Sequence, residues 1–312
     1  WSRATPPVVT RVLATKMEAD TAVRLPHLHA DLARSMASLR ADQSDVRRAR
    51  AVVHTALVDG KAHYGINTGF GALASKRIDS QQVEKLQENL LLSHAVGLGD
   101  SVPRDITRLM LQLKIHALGK GHSGISLEVF QRLLQLEQAD LIPVVPSKGS
   151  LGASGDLAPL AHMALPLLGR GRIWNPQGSD SLEAADLLKQ HDLPPVKLGA
   201  KDGLALINGT QLMSAYGAHV LHRAATLVKT VDVLAAMSLE ALRGSLQPFD
   251  ARIHALRPHP GQGQVAANVR ALLQDSEVLE SHRECHRVQD PYSLRCVPQV
   301  HGASRDALGH AS

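Results

Sequence analysis

The chain has 312 residues, a formal net charge of +5, and 44% hydrophobic but only 3% aromatic residues. Basic residues are scattered and few aromatic rings exist to stack on bases, which argues against a nucleic-acid groove. No apolar run reaches the roughly 18 residues needed to span a bilayer.

Alanine and leucine dominate, and long Val/Ile/Thr runs of period two are missing, so an all-α chain is expected. Cys285 and Cys296 form neither a disulfide framework nor a CxxC pair, which favours a reducing cytoplasm. The histidines show no ligand spacing such as His-Glu-x-x-His, so no metal is expected.

Trp1–Thr10 lacks the apolar core of a secretory leader, and the chain reads as polar and irregular until residue 44. A helix is predicted from about Ser44, with Ser44 as N-cap and Val46, Ala49, Val53 and Leu57 at helical spacing. Its Arg47-Arg48-Ala49-Arg50 cluster reads as a solvated face. A loop over His63–Gly71 follows, then a helix over 80–96 whose stripe is Val83, Leu86, Leu90 and His94. By pattern alone His94 is a core histidine.

Helices near 103–118 and 126–139 form helical hairpins, with Pro103 in a first turn, Gly119 at an end and Ser126 as N-cap. Gly149–Leu160 reads first as a helix start, with Ser154 or Asp156 as N-cap and Pro159 in the first turn. Residues 170–200 carry Gly and Pro breaks that predict a small hairpin and a short helix near 181–190. From about Gly209 to Leu242 the pattern is helical without interruption, the spine of a helical bundle. A second spine starts near Val300 and is unfinished at Ser312, so a C-terminally truncated fragment is expected. Two domains follow from this: 1–200, carrying the Ala153-Ser154-Gly155 loop, and 201–312, the start of the long-helix bundle.

Gly69-Phe70-Gly71-Ala72-Leu73-Ala74 matches a relaxed dinucleotide fingerprint, but no β-branched strand precedes it and no acid follows at the right distance. No nucleotide is therefore expected. Gly152-Ala153-Ser154-Gly155-Asp156 resembles a nucleophile elbow, yet Asp stands where the last Gly belongs and no strand is expected in front. Hydrolase chemistry is thus the weaker enzymatic reading. Ala153-Ser154-Gly155 has another capacity: the Gly155 amide can attack the Ala153 carbonyl. Loss of two waters then leaves an exocyclic methylene, an electrophile that side chains do not offer.

That tripeptide, within Gly149-Ser150-Leu151-Gly152-Ala153-Ser154-Gly155-Asp156-Leu157-Ala158-Pro159-Leu160, resembles the signature of the aromatic amino acid ammonia-lyases. Tyr64–Gly71, Leu206–Gln211, Phe249–His254 and Gln289–Cys296 agree with the same family, in order. The resemblance implies an ammonia-lyase-like helical bundle and a 4-methylidene-imidazol-5-one group formed autocatalytically from Ala153, Ser154 and Gly155. It implies Tyr64 as the base at the substrate β-carbon; a phenol serves there only where positive charge or hydrogen bonds stabilise its phenolate. Asn208 and Tyr292 complete the catalytic set, and Gln289, Arg295 and His94 bind substrate, with the Arg295 fork on the carboxylate. Ser93-His94 resembles the selectivity pair of the histidine-specific members, which convert L-histidine to urocanate and ammonia. A homotetramer with shared active sites is implied, Tyr64 serving a neighbour's loop.

Departures from the family pattern are His301 where Met is usual, Val297 where Gln is usual, and a poor match before residue 44. Family members also continue beyond Ser312 through the rest of the bundle. The alternatives are a tyrosine or phenylalanine lyase or aminomutase and, from another class, an inactive fragment or assembly subunit.

Overall fold

The computed structural model of the chain describes residues 22–69, 78, 80–153 and 155–312. It is predominantly helical, as composition predicts, and divides into two units, one up to Gly217 and one spanning Ala218–Ser312.

In the first unit, a 3-10 turn at Leu25–His27 runs into α1, Leu28–Ala41. This helix lies where irregular chain is expected. Its buried apolar row, Leu28, Leu32 and Met36, is a single file at four-residue steps amid polar residues, too narrow to stand out as a stripe. Helix α2, Ser44–Val58, begins as predicted, but Gln43 takes the N-cap position and the Ser44 hydroxyl donates to Asp42 at 3.0 Å. Helix α3, Ser80–His94, is followed by β1, Leu98–Ser101, α4, Arg104–Gly119, and α5, Leu127–Gln138. Helix α4 packs between α1 and α5 and buries Met110, Leu111 and Ile115.

Ser126 precedes α5 as predicted, yet its hydroxyl does not cap that helix. Instead the Ser126 amide and hydroxyl donate to buried Asp202 at 2.7 and 2.8 Å, opposite Arg50 at 3.5 Å. A buried carboxylate needs such partners, and here they tie the start of α5 to the first turn of α8.

Strand β2, Pro146–Lys148, pairs antiparallel with β1, an association between distant segments that local periodicity does not reveal. Then come α6, Leu157–Ala164, and a 3-10 turn at Leu165–Leu168. The predicted excursion is present as β3, Arg172–Trp174, β4, Ser181–Glu183, and α7, Ala184–Gln190. Helix α8, Asp202–Ile207, packs on both α3 and α6. The long helix α9, Gln211–Ala241, contains the boundary between the two units.

The second unit comprises the later turns of α9, α10 (Ala251–Ala255), α11 (Pro260–Leu272), α12 (Glu277–Glu280), α13 (Tyr292–Arg295) and α14 (Val297–Ala311). Its core joins Ala236, Leu239, Phe249, Val265, Val269, Leu294 and Val297. Helices α11 and α14 approach so closely that a Cβ on Gly261 would lie 2.3 Å from the Gly302 carbonyl oxygen. Buried Asp232 accepts from Asn268 at 2.8 Å, pairs with His301 at 3.1 Å, and pairs with Arg305 at 2.5 Å. His301, a departure from the family pattern, thus holds α14 to α9. Along α9, Met213, Val220, Leu227 and Leu234 stand exposed at seven-residue intervals. Among the described residues no helix is long and apolar enough to cross a membrane.

Candidate active site

Three glycines shape the loop ahead of α6: Gly149 at φ +144°, Gly152 at +75° and Gly155 at +107°. These values favour glycine, and Gly155 has a second reason to lack a side chain. A Cβ there would lie 2.3 Å from the carbonyl oxygen of Gly209. Ala153 is exposed, and Ser154 lies outside the described residues.

Asp156 fastens this loop. Its amide donates to the Gly209 carbonyl at 2.8 Å, and its buried carboxylate accepts from the Ser150 hydroxyl at 2.9 Å and the Met213 amide at 3.0 Å. Asp156 is the N-cap of α6, but its carboxylate serves the first turn of α9, where a negative charge meets unpaired amides. The short strand β2 ends just before this loop, where no strand is expected. It pairs only with β1, so the strand–nucleophile–helix of a hydrolase elbow is not reproduced.

The tripeptide suits ring closure on two counts. Gly155 presents an amide without steric cover in a conformation that only glycine adopts readily. Beside it, buried Gln211 Oε1 has no hydrogen-bond partner among the described residues, while a Cβ on Gly209 would lie 2.1 Å from it. This orphaned acceptor beside Gly209 leaves a hydrogen bond to be made by a donor from the loop.

Asn208 follows α8 with an exposed side chain, whose amide donates to the Leu204 carbonyl at 3.0 Å. Leu204 also supports the turn that carries Tyr64: a Cβ on Gly65, at φ +73°, would lie 2.1 Å from Leu204 Cδ2. Gln87 of α3 accepts from the Gly203 amide at 2.8 Å, which ties α3 to α8. Half-buried His94 ends α3, and its Nδ1 bonds the Leu90 carbonyl at 2.8 Å. A carbonyl only accepts, so Nδ1 carries the proton and Nε2 of the neutral ring is left as an acceptor. Just beyond, the Gly97 amide donates to His162 Nε2 of α6 at 2.9 Å. Tyr64, His94, Gly155 and Asn208 are therefore carried by mutually packed elements of one unit.

The remaining candidates lie in the second unit. Arg295 donates to the Gln289 side-chain oxygen, and its guanidinium stands 5.4 Å from the Tyr292 ring centroid. Gln289 and Arg295 line a cleft of about 1170 Å³, and Tyr292 is exposed. Buried Asp290 anchors the turn between them by accepting from the Ser245 amide at 2.6 Å and from Arg287 at 3.3 Å. Motif reading passes over Asp290, Gln87 and His162, since their work depends on partners distant in sequence. The one available signal is a polar side chain set among buried apolar neighbours.

Residues 29–312 match the aromatic amino acid lyase family. The chain belongs to that family. The match takes in residues 29–43 of the stretch before residue 44 that reads as divergent. Among relatives, the histidine ammonia-lyase of Gloeobacter violaceus is 51% identical over 267 residues, covering 86% of this chain and 52% of that protein. The Myxococcus xanthus histidine ammonia-lyase is 50% identical, covering 84% and 51% respectively. The crystal structure of histidine ammonia-lyase from Trypanosoma cruzi superposes with a TM-score of 0.76 at 41% identity, over 85% of this chain and 48% of that one. The phenylalanine aminomutase of Pantoea agglomerans gives 0.80 at 28% identity, over 90% and 58%. The fold is thus the helical fold of the aromatic amino acid lyases, and the chain spans about half the length of the curated relatives it matches.

Proposed function

We propose that the whole protein is a carbon–nitrogen lyase that eliminates ammonia from L-histidine to give trans-urocanate. The carrying observation is the backbone joint of Gly155 and Asp156 to Gly209, next to Asn208, in a chain half identical to histidine ammonia-lyases. Ala153, Ser154 and Gly155 would supply the 4-methylidene-imidazol-5-one, an electrophile that takes the substrate amine and makes it a better leaving group. No metal or nucleotide belongs to this reading.

The chain's own residues supply the rest. Tyr64, on the turn that Leu204 supports through Gly65, removes the β-proton. Asn208 orients the amine with its side-chain amide. Arg295, held by Gln289 and backed by Tyr292, receives the carboxylate through its fork. His94 reads the substrate ring, because its free Nε2 accepts the imidazole N–H that a phenyl or phenol ring lacks. The exposed seven-residue stripe on α9 supports assembly of a homotetramer with shared active sites. Free Cys285 and Cys296 agree with a cytoplasmic setting.

Incubation of the whole protein with L-histidine, L-tyrosine and L-phenylalanine tests the reading. Urocanate and ammonia from histidine in preference to the other two are expected. Preferential deamination or β-amination of tyrosine or phenylalanine overturns the substrate. Inertness toward all three, with an unmodified Ala153–Gly155 peptide, favours a non-catalytic assembly subunit.

A further inference from the structure

Lys114 is enclosed by the fold, with 2% of its surface exposed. It lies on α4 among Met110, Leu111, Ile115 and Leu118, all buried. Lysine is rarely buried this deeply, because desolvating an ammonium costs more than an apolar side chain of similar length would. Its Nζ donates to the backbone carbonyl of Asn208 at 2.7 Å. That acceptor is neutral, so the bond does not offset the desolvation with a counter-charge. Burial and the charge of Lys201 pull its ammonium down to about 7, yet both protonation states retain an N–H to donate.

What the bond gives is position. The Asn208 carbonyl leads directly into Gly209, at φ +147°, whose own carbonyl receives the Asp156 amide at 2.8 Å and closes over Gly155. A shift of the Asn208–Gly209 peptide therefore changes the space in which the Ala153–Gly155 backbone must fold on itself.

We propose that Lys114 is a positioning residue for maturation of the tripeptide, fixing the Asn208 carbonyl so that Gly209 presses the Ala153–Gly155 backbone into the compact shape from which its ring closes. In that closure the Gly155 nitrogen bonds to the Ala153 carbonyl carbon. The carbonyl oxygen leaves as water with the hydrogens of the Gly155 and Ser154 nitrogens. The Ser154 hydroxyl leaves as a second water with the Ser154 α-hydrogen, so no oxidant or reductant is consumed. This inference rests on the reading of Ala153-Ser154-Gly155 as a prosthetic-group precursor.

The test follows the mass of the Ala153–Gly155 peptide in freshly synthesised full-length protein over time, for wild type and K114M. Circular dichroism of the same samples reports the helical fold. Wild type is expected to become lighter by two waters. Folded K114M is expected to mature about tenfold to a hundredfold more slowly, the cost of one hydrogen bond from a charged donor. Should K114M fail to fold, K114Q, whose shorter amide does not reach as far, is read in the same way. Maturation of the folded variant at the wild-type rate overturns the role of Lys114. A wild-type peptide of unaltered mass overturns the precursor reading itself, and the inference with it.

Discussion

His94 shows how a single bond sets a residue's chemistry. With Nδ1 committed to the Leu90 carbonyl, Nε2 is the acceptor left on the neutral ring, a match for a ring that brings an N–H. H94L is therefore expected to lower kcat/KM for histidine about tenfold to a hundredfold and to narrow the gap to phenylalanine, as loss of a polar contact to substrate does. Competition kinetics with the two amino acids measure this, and an unchanged ratio refutes the role. Gly155 makes a different demand. G155A combines a φ of +107° with a Cβ 2.3 Å from backbone that cannot swing aside, strain of about 1–3 kcal/mol at the loop. The variant is expected to fold with its tripeptide unmatured, seen as a peptide heavier than matured wild type by two waters in addition to the methylene that alanine adds. By contrast, Gly263 within α11 has open space around it, so G263A is expected to raise stability by about 0.5–1 kcal/mol in thermal unfolding. Tyr64, Asn208, Arg295 and the tripeptide are legible as motifs in the sequence. The tautomer of His94 and the transfer of the Asp156 carboxylate to α9 are not, because each is decided by an acceptor or donor that only folding brings near.

Elements were legible where their apolar faces are broad and their ends marked. Helices α2 to α5, the excursion from β3 to α7, and α9 all lie within a few residues of their predicted spans. Helix α1 escaped because four-residue steps of Leu28, Leu32 and Met36 bury one thin row, and β1–β2 escaped because strand pairing across some forty-five residues leaves no local periodicity. Between elements, the bond from the Gly97 amide to His162 Nε2 joins the end of α3 to α6 only while that nitrogen is unprotonated. Burial lowers the pKa of His162, and burial with nearby Lys120 lowers that of His116, which bonds Ser35 on α1 at 2.8 Å. A depressed histidine favours the neutral form in the fold, so its contribution is whole above the unfolded value of about 6.5. Below that pH the unfolded chain takes up the proton first, and stability falls toward the folded pKa. Thermal unfolding is expected to show a midpoint that declines from about pH 6.5 downward. H162Q, which keeps an acceptor without titrating, should flatten part of that decline; an equally steep decline in H162Q assigns it to other groups.

At the scale of the molecule, α9 is a helix whose burial is incomplete. Leu212, Ala215, Ala236 and Leu239 are buried, whereas Met213, Val220, Leu227 and Leu234 form a file at seven-residue intervals open to solvent. A strict seven-residue spacing is the register of one helix lying along another, and this exposed row is the seam of the proposed assembly. Each of these side chains would contribute about 1.5–3 kcal/mol on full burial, so four of them would make a substantial interface. A carboxylate placed in such a seam loses that burial and adds an unpaired charge, which desolvation disfavours strongly. The double variant L227E/L234E is expected to leave the helical signal in place, since both side chains already face water in the single chain. The assembled species should instead dissociate in native mass spectrometry of the whole protein. Histidine turnover should fall with assembly rather than with unfolding, because the proposed active sites draw groups from several subunits. If the double variant assembles like wild type, the file on α9 is not the seam; if it dissociates yet turns over histidine at the wild-type rate, the active site belongs to one chain alone.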